Sequence, residues 1–165
     1  MIKQAKDTIE NILKAGGVKT IFREEEGLDR SRKSPSVIIL AAPEKLVPDR
    51  QKAAKFQQGV RRILRTKRYK RVMPIEVGIF DRSEEEVDHW IQLLLRELPD
   101  GIDDGQGNYT AIRPSTIEWV ADSSNRAAAN LTIEFDYGIY VDRELASIEA
   151  VNLKSITVEA NQHDG

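Results

Sequence analysis

The chain has 165 residues, 40% hydrophobic and 32% charged, with a formal net charge of −2 and no cysteine. That length suits one domain with a sizeable core and is short for two. The missing cysteines exclude a disulfide framework and a thiolate metal site, and no apolar run approaches the ~20 residues of a membrane-spanning helix. The N-terminus, MIKQAKDTIENILKAGG, scatters lysines and acids through its apolar positions. It is not expected to be a secretion signal, so synthesis in the cytoplasm is expected.

Ile2, Ala5, Ile9, Ile12 and Leu13 share one face of a helix predicted over 2–14, closed by Gly16-Gly17. A short strand follows over Val18 to Arg23. Glu24 to Pro35, with seven charges and a glycine, reads as an exposed loop or hairpin tip. Ser36 to Ala42 contains Val37, Ile38, Ile39 and Leu40 in a row, which fits a strand covered on both faces. Pro43 and Pro48 are expected to bracket an irregular connection.

Residues 50–71 hold ten of the 25 basic residues and no acid, which leaves 15 basic and 27 acidic residues elsewhere. The protein is therefore acidic with one basic limb. Ala53, Phe56, Val60, Ile63 and Leu64 would make a helical stripe; the preferred reading is a long basic hairpin turning near Gln57-Gln58-Gly59 and running through Arg71 into the next strand. In Arg65–Arg71 both strand faces would carry charge and be wet or face a partner.

Met73, Ile75, Val77 and Ile79 alternate on one strand face. Pro74, which cannot donate a ladder hydrogen bond, is expected at the strand's start or on an edge. Ser83 and Glu86 form a capping box, and Glu84, Glu85 and Glu86 put negative charge where the helix dipole favours it. Val87, Trp90, Ile91, Leu94, Leu95 and Leu98 continue as an apolar stripe up to Pro99-Asp100-Gly101. Such a helix must lie on a sheet. Ile102 to Thr110 reads as a turn-rich loop, and about 111–121 as a strand with Ile117 and Trp119 alternating with polar neighbours. Residues 122–130 read as a polar connection. Leu131, Ile133, Phe135, Tyr137, Ile139 and Val141 then alternate with polar residues, giving a strand with one apolar face. A last short strand is expected around Ile156–Val158.

No motif completes a catalytic or metal-binding set. Ala15 to Thr20 lacks the spacing of a phosphate-binding loop and reads as a helix stop. Asp100, Asp104 and Gly105 match a calcium loop at three positions, but Ile102 and Ala111 occupy two ligand positions. His89 and His163 have no partners at metal-ligand or triad spacing. No cofactor is expected. The candidate protein interface is the basic cluster Arg61, Arg62, Arg65, Lys67, Arg68, Lys70 and Arg71. The plainer reading of the same residues, which comes before the interface, is a solvated strand pair whose charges deter edge pairing. A third reading is nucleic-acid contact through 50–71, against which stands the scarcity of aromatics, only Phe56 and Tyr69.

The order of segments, RYKRVMPIEVGIF, SEEEVDHWIQLLLRELPDGI, GNYTAIRPSTIEWV and NLTIEFDYGIYVD, resembles the tail terminator proteins of long-tailed bacteriophages and prophages and related neck proteins of similar fold, over roughly residues 36–142. The resemblance implies an α+β fold: a mixed, mainly antiparallel sheet with the N-terminal helix and the central amphipathic helix packed on one face. It fits a single domain, 1–165, with its core at about 2–142 and a C-terminal extension at 143–165. It implies a structural protein without enzyme activity that forms a ring, usually of six subunits, capping the tail tube and joining it to the head. The implied partners are other copies of itself, the tail tube protein, the sheath if the tail is contractile, and a head-completion or connector protein. DNA would meet it only by passing through the ring, and no membrane is involved. Its place would be the tail or neck of the virion. The alternatives are another connector or tail-completion protein of this fold, or a small nucleic-acid-binding module.

Overall fold

The computed structural model describes residues 1–25, 33–50, 52–105, 107–121 and 126–146. The protein is α+β. Its helices are α1 (Ile2–Gly16) and α2 (Glu84–Glu97). Its strands are β1 (Thr20–Phe22), β2 (Ser36–Ala41), β3 (Lys45–Pro48), β4 (Lys52–Gln58), β5 (Arg61–Asp81), β6 (Gly101–Asp103), β7 (Tyr109–Ala121) and β8 (Ala127–Leu145). They form one sheet in the order β1-β2-β5-β8-β7-β6, with β3 and β4 paired further along β5. Among the described residues, only the β1–β2 pair is parallel.

The termini of the helices follow from local chemistry. Gly17 takes the left-handed conformation (φ 108°), and the amides of Gly17 and Val18 donate to the carbonyls of Lys14 and Leu13. This is a Schellman stop, and it accounts for Gly17; Gly16 instead accommodates the close approach of Leu93, which an added Cβ would meet at 2.8 Å. At the start of α2, the Ser83 hydroxyl accepts from the Glu86 amide at 3.2 Å. Ala5, Ile9 and Leu13 of α1 and Val87, Ile91 and Leu94 of α2 are buried against Val37 and Ile39 of β2, Met73, Ile75, Val77 and Ile79 of β5, and Leu131, Ile133 and Phe135 of β8. Both helices thus cover the same sheet face. Each of these side chains larger than Ala5 contributes roughly 1.5–3 kcal/mol through burial. Trp90 is only half-buried, and its indole nitrogen donates to the buried Asp81 carboxylate at 2.8 Å.

Several expectations are corrected. The connection between Pro43 and Pro48 contains β3, which the prolines obscured; Pro48 is its last residue, opposite Tyr69. Pro74 is not at the start or rim of β5 but midway along a central strand. Its carbonyl accepts from Ala42, so its missing N–H points toward the same side, into the break where β2 ends at Ala41 and β3 begins at Lys45. The ladder loses nothing there. The loop expected over 102–110 begins with β6, which pairs with the start of β7. In β8 the apolar alternation persists, but burial ends near Phe135, and Ile139 and Val141 are exposed. Strand β8 continues to Leu145, past the boundary placed at 142. The strand expected over about 111–121 is β7, in which Ile117 and Trp119 are exposed. The connection expected over 122–130 is shorter, because β8 already begins at Ala127; its residues 122–125, residues 26–32 of the loop expected over 24–35, and the strand expected near 156–158 lie outside the described residues.

Leu94 is fully buried in the layer between α2 and the sheet. Leu94→Ala should cost about 2–5 kcal/mol. Leu94→Asp, which strands an unpaired charge there, should leave little folded protein. Thermal melts followed by circular dichroism check both; parent-like melting of the aspartate variant would mean that α2 does not pack as described.

Candidate protein-interaction surface

The basic limb is a ribbon in which β3 and β4 flank one side of β5 and β8 flanks the other. The hairpin reading of 50–71 holds. Strands β4 and β5 meet through Gly59-Val60, with Gln58 opposite Arg61 and Gly59 at φ 62°, as a two-residue hairpin requires. The ribbon lies beyond the helices: the core row of β5 ends at Met73, and about eleven further residues extend it by roughly 35 Å at ~3.3 Å each.

Pairing register divides the limb's charges. Opposed residues share a face, so Arg65, Lys67 and Lys70 project on the face away from the helices together with Asp142, Tyr140 and Asp136. Most of the cluster is neutralised there. Arg65 donates to both carboxylate oxygens of Asp142 at 2.8 Å, a fork geometry that Arg alone offers. Lys67 pairs with Asp49 at 3.0 Å, Lys70 with Asp136 at 2.8 Å, and Arg61 more loosely with Glu144 at 3.7 Å. The buried Asp136 also lies 3.6 Å from Arg113. On the helix-side face, Arg71 binds Glu44, one contact being 2.7 Å, and lies over the Tyr137 ring.

These pairs move the titrations of their members. The hydrogen bond from Arg65 holds Asp142 below the usual carboxylate range, and the same bond raises Arg65. Arg71 likewise lowers Glu44 and is itself raised. Burial pushes the Tyr137 phenol up, against the opposing charge of Arg71.

Of the seven cluster residues, Arg61, Arg65, Lys67, Lys70 and Arg71 therefore have acidic partners within the chain. Arg62 and Arg68 are exposed and make no ion pair among the described residues. Arg68 is the extra residue of a bulge between Lys67 and Tyr69. Sequence reading missed the counter-ions because none is a local neighbour: Asp136, Asp142 and Glu144 lie on β8, and Asp49 and Glu44 flank β3. The signal was the polar face of β8, where Asp136, Asp142 and Glu144 recur at even spacing, but its meaning depends on the β5–β8 register. Of the two aromatics of 50–71, Phe56 is also committed, while Tyr69 stays exposed. Arg65 lies 5.1 Å from the Phe56 ring centre and 5.8 Å from that of Tyr140, so these rings bind a guanidinium rather than a base.

The other candidates dissolve into local structure. Asp103 accepts from the Gly105 amide at 2.7 Å, and Asp104 accepts from the Asn108 amide at 3.1 Å and from its side chain at 2.7 Å. Both acids thereby shape the β6–β7 turn. His89 is exposed and meets Trp90 edge-on, with ring centres 5.2 Å apart. Among the described residues no group of three or more His, Asp or Glu is placed to hold a metal, and no helix is long and apolar enough to cross a membrane.

Arg65→Glu would set two acids against each other and should lower the melting temperature. Arg62→Glu should change stability by no more than about 0.5 kcal/mol; denaturant titrations of both variants check the contrast. Glu44 has a second signature. Its folded-state pKa lies below its ordinary value of 4.5, so its pair with Arg71 stabilises the fold above that pH and loses its effect as the pH falls through the depressed value. Glu44→Gln should flatten the acid limb of a melting-temperature profile, by less than about 1 kcal/mol for a partly exposed pair; identical acid limbs would exclude the effect.

In comparison with known proteins, the chain matches no protein-family model and no curated protein sequence.

Proposed function

We propose that this protein is a structural subunit that assembles head-to-tail into a ring and, following its sequence resemblance to tail terminator proteins, caps the tail tube of a long-tailed bacteriophage and joins it to the neck. The observation that carries the assembly reading is the ribbon. A helix-covered core continues into a projection roughly 35 Å long that exposes Ile139, Val141, Tyr69 and Leu46. A projection of that kind is suited to a neighbour's body, and contact between unlike patches closes into rings when the rotation permits.

The alternative of nucleic-acid binding is less well supported. Five of the ten cations of residues 50–71 are spent on the chain's own acids, which halves the number that could release counterions from a phosphate backbone.

Light scattering at low and high salt, with electron microscopy of growing tail tubes mixed with the protein, tests the proposal. Ring-sized particles and tubes arrested at a defined length are expected. Association should weaken toward 1 M salt, where the Debye length is about 3 Å. A protein that stays monomeric in both settings while binding DNA with a steep salt dependence would replace this reading with the nucleic-acid one.

A further inference from the structure

The sheet outruns its helix layer, and the two faces of the excess differ. Away from the helices, the ribbon carries the ion pairs of Arg61, Arg65, Lys67 and Lys70 with Glu144, Asp142, Asp49 and Asp136. On the helix side, the register places Tyr69 opposite Ile139, Thr66 opposite Val141, Leu64 opposite Arg143 and Lys55, and Arg62 opposite Leu145. Leu46, opposite Arg71, extends the same face onto β3.

Four large apolar side chains stand open along this face: Leu46 is 58% exposed, Val141 43%, Tyr69 38% and Ile139 36%. Tyr69, Ile139 and Val141 continue the rows that α1 and α2 bury further along β5 and β8. Lys55, Arg62 and Arg143 border them, all exposed and with no acidic partner among the described residues. The face is therefore apolar at its centre and basic at its tip. Glu44, at its base, is already held by Arg71.

The complementary feature is on α2. Glu84, Glu85 and Glu86 are all exposed and make no ion pair among the described residues. They form a three-residue acidic ridge at one end of the helix layer.

We infer that the helix-side face of the ribbon is the seat of a second copy of this chain, whose α2 first turn meets Lys55, Arg62 and Arg143 while its helix layer covers Ile139 and Val141. The inference rests on the ring reading and names its interface. It is a contact between unlike patches, since ribbon and α2 are different parts of the subunit. Three strands at ~4.8 Å spacing over roughly 35 Å give a projected face on the order of 500 Å². That is below the ~800 Å² per partner of a standard interface. A single pair of subunits is accordingly weak, and closure, in which every subunit uses both patches, makes the assembly cooperative.

The absence of native cysteine makes cross-linking a clean test. Full-length chains carrying Val141→Cys and Glu85→Cys are mixed and oxidised. A mixed dimer is expected, and with both substitutions in one chain a ladder that ends at a closed species. Adding Arg62→Glu and Arg143→Glu to the Val141→Cys chain should slow low-salt cross-linking about tenfold. Glu84→Arg and Glu86→Arg in the other chain should restore it, a rescue that misfolding would not produce. Rings that form without the 141–85 cross-link would overturn this seat while leaving the ring reading intact. Preferential cross-linking of Val141→Cys to itself would overturn it in favour of a two-fold contact. A Val141→Cys, Ile156→Cys chain that closes at monomer mass would show the chain's own C-terminal segment to be the occupant. A parent protein that stays monomeric with and without tail tubes overturns both proposals.

Discussion

The structure depends on one antiparallel ladder, β5 against β8, running from Arg62 opposite Leu145 to Asp81 opposite Ala127. The ladder is shared by the core and the ribbon, so its register fixes both. In the core half it sets Met73 beside Phe135, Ile75 beside Ile133 and Val77 beside Leu131. In the ribbon half the same register sets Arg65 beside Asp142. A slip of one residue would turn every core side chain to the opposite face and break the charge pairs at once. The hydrophobic rows and the ion pairs thus specify the same alignment.

Two local devices let so long a strand serve both halves. At Pro74 the lost donor falls where β2 hands over to β3, so β5 keeps its pairing with β8 without a break. Between Lys67 and Tyr69 the bulge adds one residue, Arg68, and shifts the alternation. Residues 69–73 keep the alternation of the core, so the shift is what sends Arg65 and Lys67 to the acid-bearing face and Thr66, Leu64 and Arg62 to the apolar one.

The charge asymmetry takes on a different meaning in three dimensions. Along the chain, ten cations without an acid look like a surface waiting for a partner. In the fold, acids of β8 and of the segments flanking β3 answer half of the limb on its own molecule. Exposed pairs of this kind contribute little stability individually, but as cross-strand neighbours they favour the correct register over its alternatives. What remains for a partner is smaller and more specific: a strip of exposed apolar side chains with unpaired cations at its tip, opposite in sign to the first turn of α2.

The elements whose signals are local were legible in the sequence. The amphipathic period of α1 and α2, the Ser83 cap, the glycine stop at 16–17, the buried run of β2 and the alternation of β5 and β8 each arise from neighbours within a few residues. The hairpin through Gly59 was legible because a two-residue turn carries its own chemistry, whereas β3 was not, since two prolines suggest irregularity and only the partner strand shows that Pro48 can end a ladder. Of the interaction surface, the sequence by itself determined the composition of the limb and its opposition in sign to the rest of the chain. Only the tertiary structure decided which of its cations are engaged and which are free. It also decided where the alternating face of β8 stops being core, because Phe135 and Val141 are equivalent in periodicity and differ only in whether a helix lies over them.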